Sequence, residues 1–397
     1  MLSGKNVLLG ITGGIAAYKT ANLIRLFKKS GANVQVVITP DAKEFVTPLT
    51  LSTLSENPIH SVFSDKETGE WDSHVELGLW ADIFIIAPAT ANTIGKMAGG
   101  LCDNLLMATY LSAKCSVFVA PAMDLDMYKH STTKQNIKKL ISNGNFIIDA
   151  KEGELASGLV GKGRMEEPEG IVSFIVDHLK KGLPLSGKKV LLTAGPTYEQ
   201  IDPVRFIGNN SSGKMGYELA EKAYRLGASV TLISGPTNLT ASTGINKVEV
   251  RSAAEMFKAV QDEYKDSDVI IMAAAVSDYT PDNRALQKIK KTEDSLQINL
   301  KSTKDILATV GKLKTNNQLL IGFALETANE EKNAKDKLKR KNLDFIVLNS
   351  LNDKGAGFGH DTNKITIIDN NNNVEKFELK PKSEVASDIF NKIISLL

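Results

Sequence analysis

The chain has 397 residues, 42% of them hydrophobic and 24% charged, with 48 Lys and Arg against 46 Asp and Glu. This length is typical of two or three domains, and the composition excludes a globally disordered chain. The near-neutral charge balance gives no reason to expect nucleic acid or an acidic membrane as the main partner.

The two cysteines, Cys102 and Cys115, exclude a disulfide framework, and no CxxC pair indicates a zinc site. The apolar run before Thr12 is too short for a signal peptide. No stretch reaches the ~20 apolar residues that span a bilayer. We therefore expect a soluble, cytoplasmic protein that takes no membrane partner.

The first half of the sequence predicts repeated βαβ units. Its first strand is followed by Gly13 and Gly14, an amphipathic helix through Phe27, and Gly31, which is placed to end that helix before the next strand. The strands predicted in this half are Lys5–Thr12, Val34–Ile38, Ile83–Ala87 and Val117–Pro121.

The second half repeats the plan with a loop rich in Gly, Pro and Ser, a helix over Met215–Leu226, and Gly227 at the helix end. An asparagine-rich turn near the C-terminus predicts a β-hairpin, because Asn tolerates the left-handed region. The strands predicted here are Lys188–Ala194, Val230–Ile233, Val269–Ala275 and Phe345–Asn349, then the hairpin strands Ile365–Ile368 and Val374–Leu379.

These patterns predict an α/β fold with two doubly wound, Rossmann-like or flavodoxin-like parallel-sheet domains in tandem and a C-terminal β-hairpin in the second. The Gly- and Pro-containing segment 180–187 marks the boundary. We therefore expect one domain over residues 1–182 and another over residues 187–397. The lysine-rich helix Glu330–Lys341 is by default a solvated face, and anion contact is the alternative.

Two glycine-rich turns are candidates for phosphate binding. Gly10–Ala16 lacks the GxGxxG fingerprint, yet free N–H groups at a helix start favour an anion; a merely tight turn is the alternative. Gly208–Lys214 has the GxxxxGK skeleton of a P-loop, but Met215 follows where Ser or Thr should hold Mg²⁺. This argues against a P-loop NTPase, while Ser211 and Ser212 still suit an anion in another geometry.

Several longer motifs follow predicted strands, where open α/β sheets bind ligands. The first half resembles the flavin-containing cysteine decarboxylases in its segments 13–19 (GGIAAYK), 74–77, 87–92 (APATAN), 99–105 and 121–127. The second half resembles phosphopantothenate–cysteine ligases in its segments 195–197, 202–205, 209–216, 273–278 and 288–291. Together, and over essentially the whole chain, these motifs are similar to the bifunctional coenzyme A biosynthesis family.

The resemblance implies that the C-terminal domain joins 4′-phosphopantothenate to cysteine through an acyl-cytidylate, using CTP and Mg²⁺, with no metal ligand assigned. Asn209 would contact phosphopantothenate and the acyl-cytidylate. Lys288 would stabilise charge on the reacting phosphate; a solvated basic turn is its alternative. The other implied nucleotide contacts are Ala273, Ala274, Asp278, Thr303, Lys304, Asp305, Ile306, Phe323 beside the cytosine, and Lys337 and Lys341 at the triphosphate.

For the N-terminal domain, the resemblance implies decarboxylation of 4′-phosphopantothenoylcysteine to 4′-phosphopantetheine. In that family FMN oxidises the thiol, loss of CO₂ leaves an enethiolate, and the reduced flavin returns the hydride. His74 matches the family's active-site histidine and suits proton transfer near neutral pH, although an isolated histidine is more often structural. The implied FMN contacts are Gly13, Gly14, Thr39, Thr90 and Asn92.

Two candidate catalytic residues depart from the decarboxylase pattern. Asp124 replaces an asparagine that orients the substrate carboxylate, so it must be protonated, paired with a cation or displaced. Ser157 replaces the lid cysteine that donates a proton to the enethiolate, and a hydroxyl is a far weaker acid than a thiol. We nevertheless expect an active decarboxylase.

Two alternatives remain open: a ligase with an impaired decarboxylase half, and a flavin-binding regulatory protein. The second makes no use of Lys288 or Asn209. The resemblance also implies a homo-oligomer, with trimeric decarboxylase domains and dimeric ligase domains that together give a dodecamer.

Overall fold

The computed structural model describes residues 1–64, 71–290, 296–350 and 352–397, except residues 354, 356 and 358. The chain divides into two compact units, Met1–Leu179 and Lys180–Leu397. The division falls at the start of the Gly- and Pro-containing segment 180–187. Within the described ranges, no helix combines the length and apolar character that crossing a bilayer requires.

The first unit contains a six-stranded sheet and a separate hairpin. All pairings within the sheet are parallel. The sheet strands are β1 (Asn6–Ile11), β2 (Asn33–Ile38), β3 (Ile59–His60), β4 (Ile83–Ala89), β5 (Ser116–Pro121) and β6 (Phe146–Ile147), and the antiparallel hairpin is β7 (Lys151–Glu154) and β8 (Val160–Arg164). The sheet order is β3-β2-β1-β4-β5-β6.

Helices cover both faces of this sheet. Leu8 and Leu9 are adjacent in β1 and therefore point to opposite faces. Leu9 packs in one buried cluster with Phe118, and Leu8 packs in another with Phe84. The helices are α1 (Thr20–Lys29), α2 (Pro48–Ser55), α3 (His74–Trp80), α4 (Ala91–Gly99), α5 (Leu105–Ser112), α6 (Leu125–Lys129), α7 (Ser131–Ser142) and α8 (Pro168–Lys180), with 3₁₀ turns at Ile15–Lys19 and Pro40–Glu44.

The second unit contains an eight-stranded sheet. Its strands are β9 (Lys189–Ala194), β12 (Ser229–Ser234), β13 (Asn246–Glu249), β14 (Val269–Met272), β17 (Leu319–Glu326), β18 (Phe345–Ser350), β20 (Ile365–Asp369) and β21 (Val374–Lys376). The order is β13-β12-β9-β14-β17-β18-β20-β21. The first six strands are parallel, and the last two form an antiparallel hairpin on that edge.

Short antiparallel pairs and helices complete the described part of this unit. The pairs are β10 (Tyr198–Gln200) with β11 (Phe206–Gly208), β15 (Tyr279–Pro281) with β16 (Leu300–Ser302), and β19 (Thr362–Asn363) with β22 (Lys380–Pro381). The helices are α9 (Lys214–Arg225), α10 (Ala253–Glu263), α11 (Ile306–Leu313), α12 (Glu330–Arg340) and α13 (Lys382–Leu396), with a 3₁₀ turn at Tyr264–Asp266.

The predicted fold class is confirmed, including the C-terminal hairpin. In its turn, the Asp369 carboxylate accepts the N–H groups of Asn371 and Asn373 at 3.0 and 2.9 Å. Asn372 adopts a left-handed φ of 63°, the conformation that Asn tolerates better than most residues. Each sheet reverses its strand order once, between β1 and β4 and between β9 and β14. Ligands of open α/β sheets bind at the carboxyl ends of strands beside such a reversal.

Candidate functional sites

A cavity of about 980 Å³ lies at the carboxyl ends of β1, β2, β4 and β5 in the first unit. This volume is at the upper end of the ~300–1,000 Å³ range of small-molecule pockets, so the cavity has room for a cofactor together with a small substrate. Asp124 and Ser157 line this cavity. It is also lined by all five predicted FMN contacts: Gly13, Gly14, Thr39, Thr90 and Asn92.

The turn after β1 requires glycine at position 13. A Cβ atom there would lie 2.6 Å from the Cβ of Asp41, closer than two carbon atoms can pack. At Gly14, by contrast, the nearest atom to an added Cβ would be Thr90 Cγ2 at 3.5 Å, an ordinary contact. Gly13 therefore brings the chain close to the turn that follows β2, and this approach shapes the cavity wall.

Thr12 joins this turn to the start of α4. Its hydroxyl donates to the Pro88 carbonyl at 2.6 Å and accepts the N–H of Thr90 at 3.1 Å. Thr90 in turn caps α4 by accepting the N–H of Thr93. The N-terminus of α4 thus opens on the cavity with Asn92 in its first turn, and a helix N-terminus favours a phosphate or another anion.

The hydroxyl oxygen of Thr39 is buried and, among the described residues, has no hydrogen-bond partner. Buried polar atoms are rarely left without a hydrogen bond, so a polar molecule bound in the cavity is expected to pair with the Thr39 hydroxyl. The orphaned hydroxyl, the glycine turn and the open helix N-terminus together fit a phosphorylated cofactor such as FMN.

His74 does not line this cavity within the described part of a single chain. It is the first residue of α3, and its ring packs edge-to-face against Phe63, with centroids 6.1 Å apart. Its Nδ1 atom is buried and has no hydrogen-bond partner among the described residues. The resemblance implies that His74 is the active-site histidine of the decarboxylase, whereas the described part of one chain keeps it outside the cavity that the predicted FMN contacts line.

Asp124 and Ser157 contact each other. The Ser157 hydroxyl donates a hydrogen bond of 2.5 Å to Asp124 Oδ2. Asp124 immediately precedes α6, where aspartate often caps a helix, but its side chain accepts no capping bond. Its carboxylate is directed instead toward the β7–β8 hairpin, which carries Ser157 at its tip.

Two glycines let this hairpin pack closely against the segment before α6. A Cβ at Gly163 would lie 2.4 Å from the Met123 carbonyl oxygen, and one at Gly161 would lie 2.5 Å from Leu125 Cδ1. The N–H of Met123 donates to the Gly163 carbonyl at 3.1 Å. This close packing holds the tip of the hairpin above Asp124.

A buried lysine anchors the chain that leaves the hairpin. Lys19, only 6% exposed, donates to the Met165 carbonyl at 3.1 Å and to Glu167 Oε1 at 2.8 Å. The Lys19 hydrogen bond holds the pKa of Glu167 below its ordinary value. Arg164 donates to the same Glu167 oxygen at 2.9 Å.

Sequence reasoning missed several residues that line this cavity. Among them, Lys96 and Asp103 form an ion pair of 2.6 Å, and Arg164 projects from β8. Charged residues are common on ordinary solvated surfaces, so their residue types alone do not indicate a site. The sequence offers only their position within or beside the matched motifs.

A second cavity, of about 270 Å³, lies in the second unit where β14 and β17 end and α9 begins. It is lined by five of the predicted nucleotide contacts: Ala273, Ala274, Asp278, Phe323 and Lys337. Gly213 precedes α9 with a left-handed φ of 78°, and an added Cβ would lie 3.2 Å from Gly195 Cα. Glycine at 213 therefore lets the loop start α9 against the end of β9.

The other predicted nucleotide contacts lie around this cavity rather than in its lining. Thr303 and Lys304 line a separate cavity of about 400 Å³ together with Arg251 and Arg284. Asp305 caps α11 by accepting the N–H of Ala308 at 2.8 Å, and it forms an ion pair with Lys341. Ile306, the first residue of α11, is buried.

Thr303 is nevertheless tied to the second cavity through backbone contacts. Its N–H donates to the Asp278 carbonyl at 2.9 Å and its hydroxyl donates to the Ser277 carbonyl at 2.7 Å. The Asn209 side chain donates to the Ala275 carbonyl at 2.9 Å. These bonds connect the loops after β11, β14 and β16, so the predicted contacts converge on one region of the unit.

Lys288 is exposed, but the residue after it is held firmly. The N–H of Ile289 donates to Asp202 Oδ2 at 3.2 Å, and Arg205 donates to the Ile289 carbonyl at 2.9 Å. The Arg205 guanidinium also holds the pKa of Asp202 well below its ordinary range. Lys291, the last residue of the basic motif, lies outside the described residues.

A half-buried lysine and a buried lysine give the second cavity a positive wall. Lys337 donates to the Phe323 carbonyl at 2.8 Å, and burial lowers its pKa. Lys382, only 5% exposed, donates to the carbonyls of Gly357 and His360 at 3.2 and 2.5 Å. Sequence reasoning missed Lys382 because it lies more than 160 positions from the α9 loop and belongs to no recognised motif.

Within the described ranges, no group of three or more His, Cys, Asp and Glu side chains is placed to hold a metal ion. Mg²⁺ bound with a nucleotide needs only one or two carboxylates, because phosphate oxygens and water supply the other ligands. Asp278 lines the second cavity.

The fold and the two cavities define a flavoprotein unit followed by a second α/β unit. The Flavoprotein family model matches residues 1–180, and the model of the DNA/pantothenate metabolism flavoprotein C-terminal domain matches residues 185–397. The bifunctional coenzyme A biosynthesis protein CoaBC of Bacillus subtilis is 45% identical over 399 residues, which cover 100% of this chain and 98% of that protein.

CoaBC of Haemophilus influenzae is also 45% identical, over 99% of this chain and 98% of that protein. A cysteine/cysteine sulfinic acid decarboxylase from an unknown prokaryotic organism is 58% identical over 89% of this chain and 99% of that protein. A crystal structure of the C-terminal domain of a CoaBC protein is 42% identical, with a TM-score of 0.47, and covers 54% of this chain and 98% of that one.

The chain therefore belongs to the family of bifunctional coenzyme A biosynthesis proteins, CoaBC. Members of this family are enzymes that combine a phosphopantothenoylcysteine decarboxylase with a phosphopantothenate–cysteine ligase. This finding confirms the family and the class of enzyme that the sequence motifs predict.

Proposed function

We propose that the chain catalyses two consecutive reactions, ligation in residues 187–397 and decarboxylation in residues 1–182. The observation that carries this proposal is the separation of the predicted contacts into two sites. The residues predicted to contact FMN line one cavity at the carboxyl ends of the first sheet, and five of those predicted to contact CTP line another in the second unit.

In the ligation, the carboxylate of 4′-phosphopantothenate attacks the α-phosphate of CTP, which releases pyrophosphate and forms an acyl-cytidylate. The amine of cysteine then attacks the acyl carbon, and CMP leaves. Activation is necessary because a free carboxylate is a poor electrophile. Negative charge builds up on the reacting phosphate, and preorganised cations in a partly desolvated cavity stabilise it.

We assign the roles that the family resemblance implies to individual residues of this half. Lys337 binds the triphosphate from α12 and Phe323 lies beside the cytosine, both within the cavity lining. Lys288 neutralises the reacting phosphate from the segment held by Asp202 and Arg205. Asn209 contacts the acyl group, with its amide oriented by the Ala275 carbonyl.

The outer contacts and the metal complete the nucleotide site. Ala273 and Ala274 contact the nucleotide from the cavity lining. We assign outer contacts with the nucleotide to the predicted residues that lie outside the lining: Thr303, Lys304, Asp305, Ile306 and Lys341. Mg²⁺ enters bound to CTP and meets the Asp278 carboxylate.

In the decarboxylation, bound FMN supplies a reversible two-electron oxidation of the substrate thiol, which makes loss of CO₂ possible. The chain's residues bind and orient the reactants. The Gly13–Gly14 turn and the start of α4 receive the phosphate end, and the Thr39 hydroxyl gains the partner that it lacks. His74 moves a proton at the substrate, and the β7–β8 hairpin excludes water from the cavity.

We propose a homo-oligomer because one chain does not bring His74 to its own cavity. Ile15 and Tyr18 line the cavity yet are 60% and 59% exposed. Such exposed apolar side chains beside a site are typical of an interface. A trimer of the decarboxylase units would let one copy supply His74 to the cavity of another, and dimeric ligase units would extend this assembly to a dodecamer.

The ligase half is tested with 4′-phosphopantothenate, cysteine, Mg²⁺ and either CTP or ATP, and the products are identified by mass spectrometry. We expect CMP, pyrophosphate and 4′-phosphopantothenoylcysteine with CTP. Lys288→Gln removes this activity and leaves decarboxylation of supplied 4′-phosphopantothenoylcysteine intact. Wild-type protein that releases no pyrophosphate with either nucleotide would refute the ligase assignment.

The decarboxylase half is tested with synthetic 4′-phosphopantothenoylcysteine and FMN-loaded protein. We expect CO₂ and 4′-phosphopantetheine, and His74→Asn should abolish both while ligation continues. Because serine is a poorer proton donor than cysteine, Ser157→Cys should raise the proportion of 4′-phosphopantetheine over the oxidised aminoenethiol. Accumulation of the aminoenethiol alone in the wild type would instead show an impaired reductive step.

A second candidate for the N-terminal half is decarboxylation of free cysteine or cysteine sulfinic acid. The relative that is 58% identical to this chain is named for those substrates. A head-to-head assay of cysteine, cysteine sulfinic acid and 4′-phosphopantothenoylcysteine on the same FMN-loaded preparation separates the two candidates by their kcat/KM values.

A further inference from the structure

The first cavity contains a carboxylate that the fold does not use. Aspartate is among the best helix-capping residues, yet Asp124 does not cap α6 with its side chain. Among the described residues it forms no ion pair, and the only hydrogen bond that its carboxylate accepts comes from the neutral Ser157 hydroxyl. One carboxylate oxygen, Oδ1, thus remains available to a ligand in the cavity.

The hairpin fixes the direction of this carboxylate. Close packing at Gly161 and Gly163 leaves the β7–β8 strands little freedom to move away from residues 123–125. Ser157, at the tip of the same hairpin, engages Oδ2. Ser157 is therefore a positioning residue that holds the charge of Asp124 at the cavity surface.

A negative charge at this place selects among substrates. It repels a carboxylate that approaches closely, and it attracts an ammonium group. An amino acid with a free α-amino group carries that ammonium, whereas acylation of the nitrogen removes both the charge and a hydrogen-bond donor. Asp124 therefore favours the unacylated compound over the acylated one.

The same cavity also offers a cation for the carboxylate of a zwitterion. Arg164 lines the cavity. Arg164 and Lys19 both donate hydrogen bonds to Glu167 Oε1. Two cations thus share one carboxylate, and this small cluster keeps a net positive charge. A cavity with a free carboxylate and an incompletely neutralised arginine is complementary to a zwitterionic amino acid.

We propose that Asp124, positioned by Ser157, is the specificity-determining residue that binds the free α-ammonium group of a thiol amino acid, so that the cavity binds an unacylated thiol more tightly than its N-acylated counterpart. This inference deepens the second candidate function of the N-terminal half and rests on it. It assigns the preference to one carboxylate of this chain.

The test measures binding rather than turnover, on the full-length FMN-loaded protein. Cysteamine and N-acetylcysteamine have the same thiol and differ only in acylation of the nitrogen. Their dissociation constants are obtained by titrating the flavin absorbance at neutral pH. We expect the wild type to bind cysteamine about tenfold more tightly, as one charge-assisted hydrogen bond in a partly exposed site supports.

Two substitutions on the same short segment make a matched pair. Asp124→Asn keeps the shape and removes the charge, so the preference for cysteamine should disappear. Asp126→Asn removes an exposed charge of α6 that does not line the cavity, and it should leave the preference unchanged. Ser157→Ala keeps the charge of Asp124 but removes the hydrogen bond that orients its carboxylate. The preference for cysteamine should therefore fall about two- to threefold without disappearing.

The proposal is overturned if the wild type binds N-acetylcysteamine as tightly as cysteamine, or if Asp124→Asn and Asp126→Asn have equal effects on the ratio of dissociation constants. These outcomes are separate from failure of the second candidate function. A protein that binds cysteamine through Asp124 yet turns over only 4′-phosphopantothenoylcysteine would keep the ammonium site and refute decarboxylation of free amino acids.

Discussion

The Asp202 carboxylate accepts two hydrogen bonds from the Arg205 guanidinium, at 2.9 Å from Nε and 2.6 Å from Nη2. The two residues also hold both backbone groups of Ile289, the residue after Lys288. A side-chain pair thereby fixes the chain next to the lysine that we assign to the reacting phosphate. Both bonds end on Asp202 Oδ2. The planar guanidinium presents several N–H groups in a fixed arrangement, whereas lysine has only one donor nitrogen.

We therefore predict that Arg205→Lys lowers ligase kcat about tenfold or more, because Lys288 loses its fixed starting position. The charge at position 205 is unchanged, so an electrostatic role alone would leave kcat nearly intact. Pyrophosphate release at saturating CTP measures the effect. Arg225→Lys, at the end of α9, is the control and should behave as the wild type.

Asp202 also makes stability depend on pH. Its pKa in the folded chain is well below the usual value because of the Arg205 hydrogen bonds. The ionised pair therefore stabilises the fold above about pH 4, the ordinary aspartate value, and this stabilisation is lost as the pH falls below that value. We predict that urea midpoints of the wild type and Asp202→Asn differ most near pH 7 and converge on acidification. A constant difference from pH 7 to pH 3 would contradict the prediction.

Lys337 is expected to make nucleotide binding depend on pH in the alkaline range. Burial lowers its pKa, so this lysine loses its proton at a lower pH than an exposed lysine. The KM for CTP should therefore rise as the pH is raised from neutrality toward about 9.5. In Lys337→Gln the KM should be high and nearly independent of pH. Lys339→Gln, on the exposed side of α12, should keep the wild-type profile.

The two glycines of the first cavity should differ in their tolerance of alanine. Gly13→Ala brings a methyl group within 2.6 Å of Asp41 Cβ, whereas Gly14→Ala meets only Thr90 Cγ2 at 3.5 Å. We predict that Gly13→Ala loses most of its bound flavin and that Gly14→Ala retains it. The ratio of flavin to protein absorbance after purification measures this. Equal flavin content in the two variants would show that the contact with Asp41 does not shape the site.

Lys19 should contribute strongly to the stability of the first unit. It is nearly fully buried and makes hydrogen bonds to a backbone carbonyl and to Glu167. Lys19→Met leaves both acceptors without their partner, and we expect a loss of about 2–4 kcal/mol in the free energy of unfolding. Lys28→Met removes an exposed ion pair with Glu56 and should cost less than about 1 kcal/mol. Thermal unfolding of the two variants checks the difference.

The sequence alone determined the fold class and the family. Buried parallel strands are apolar on both faces, so the strands at Ile83–Ala87 and Phe345–Asn349 were predicted without a structure. The observed strands are Ile83–Ala89 and Phe345–Ser350. Glycines in turns where the backbone packs closely against another segment, such as Gly13 and Gly213, are also visible in the local sequence. The resemblance to a known family predicted four residues that line the cavities from strand ends: Thr39, Asn92, Asp278 and Phe323.

The tertiary structure alone decided which distant side chains meet. In the sequence, Asp124 and Ser157 are two unconnected differences from the decarboxylase pattern. Only the packing of β8 against residues 123–125 brings them together as a hydrogen-bonded pair. Lys382 reaches the second cavity because α13 begins there, and His74 lies away from the cavity with which its motif is associated. Periodicity and turn chemistry act over a few residues, whereas these contacts span tens to hundreds of residues and depend on how whole elements pack.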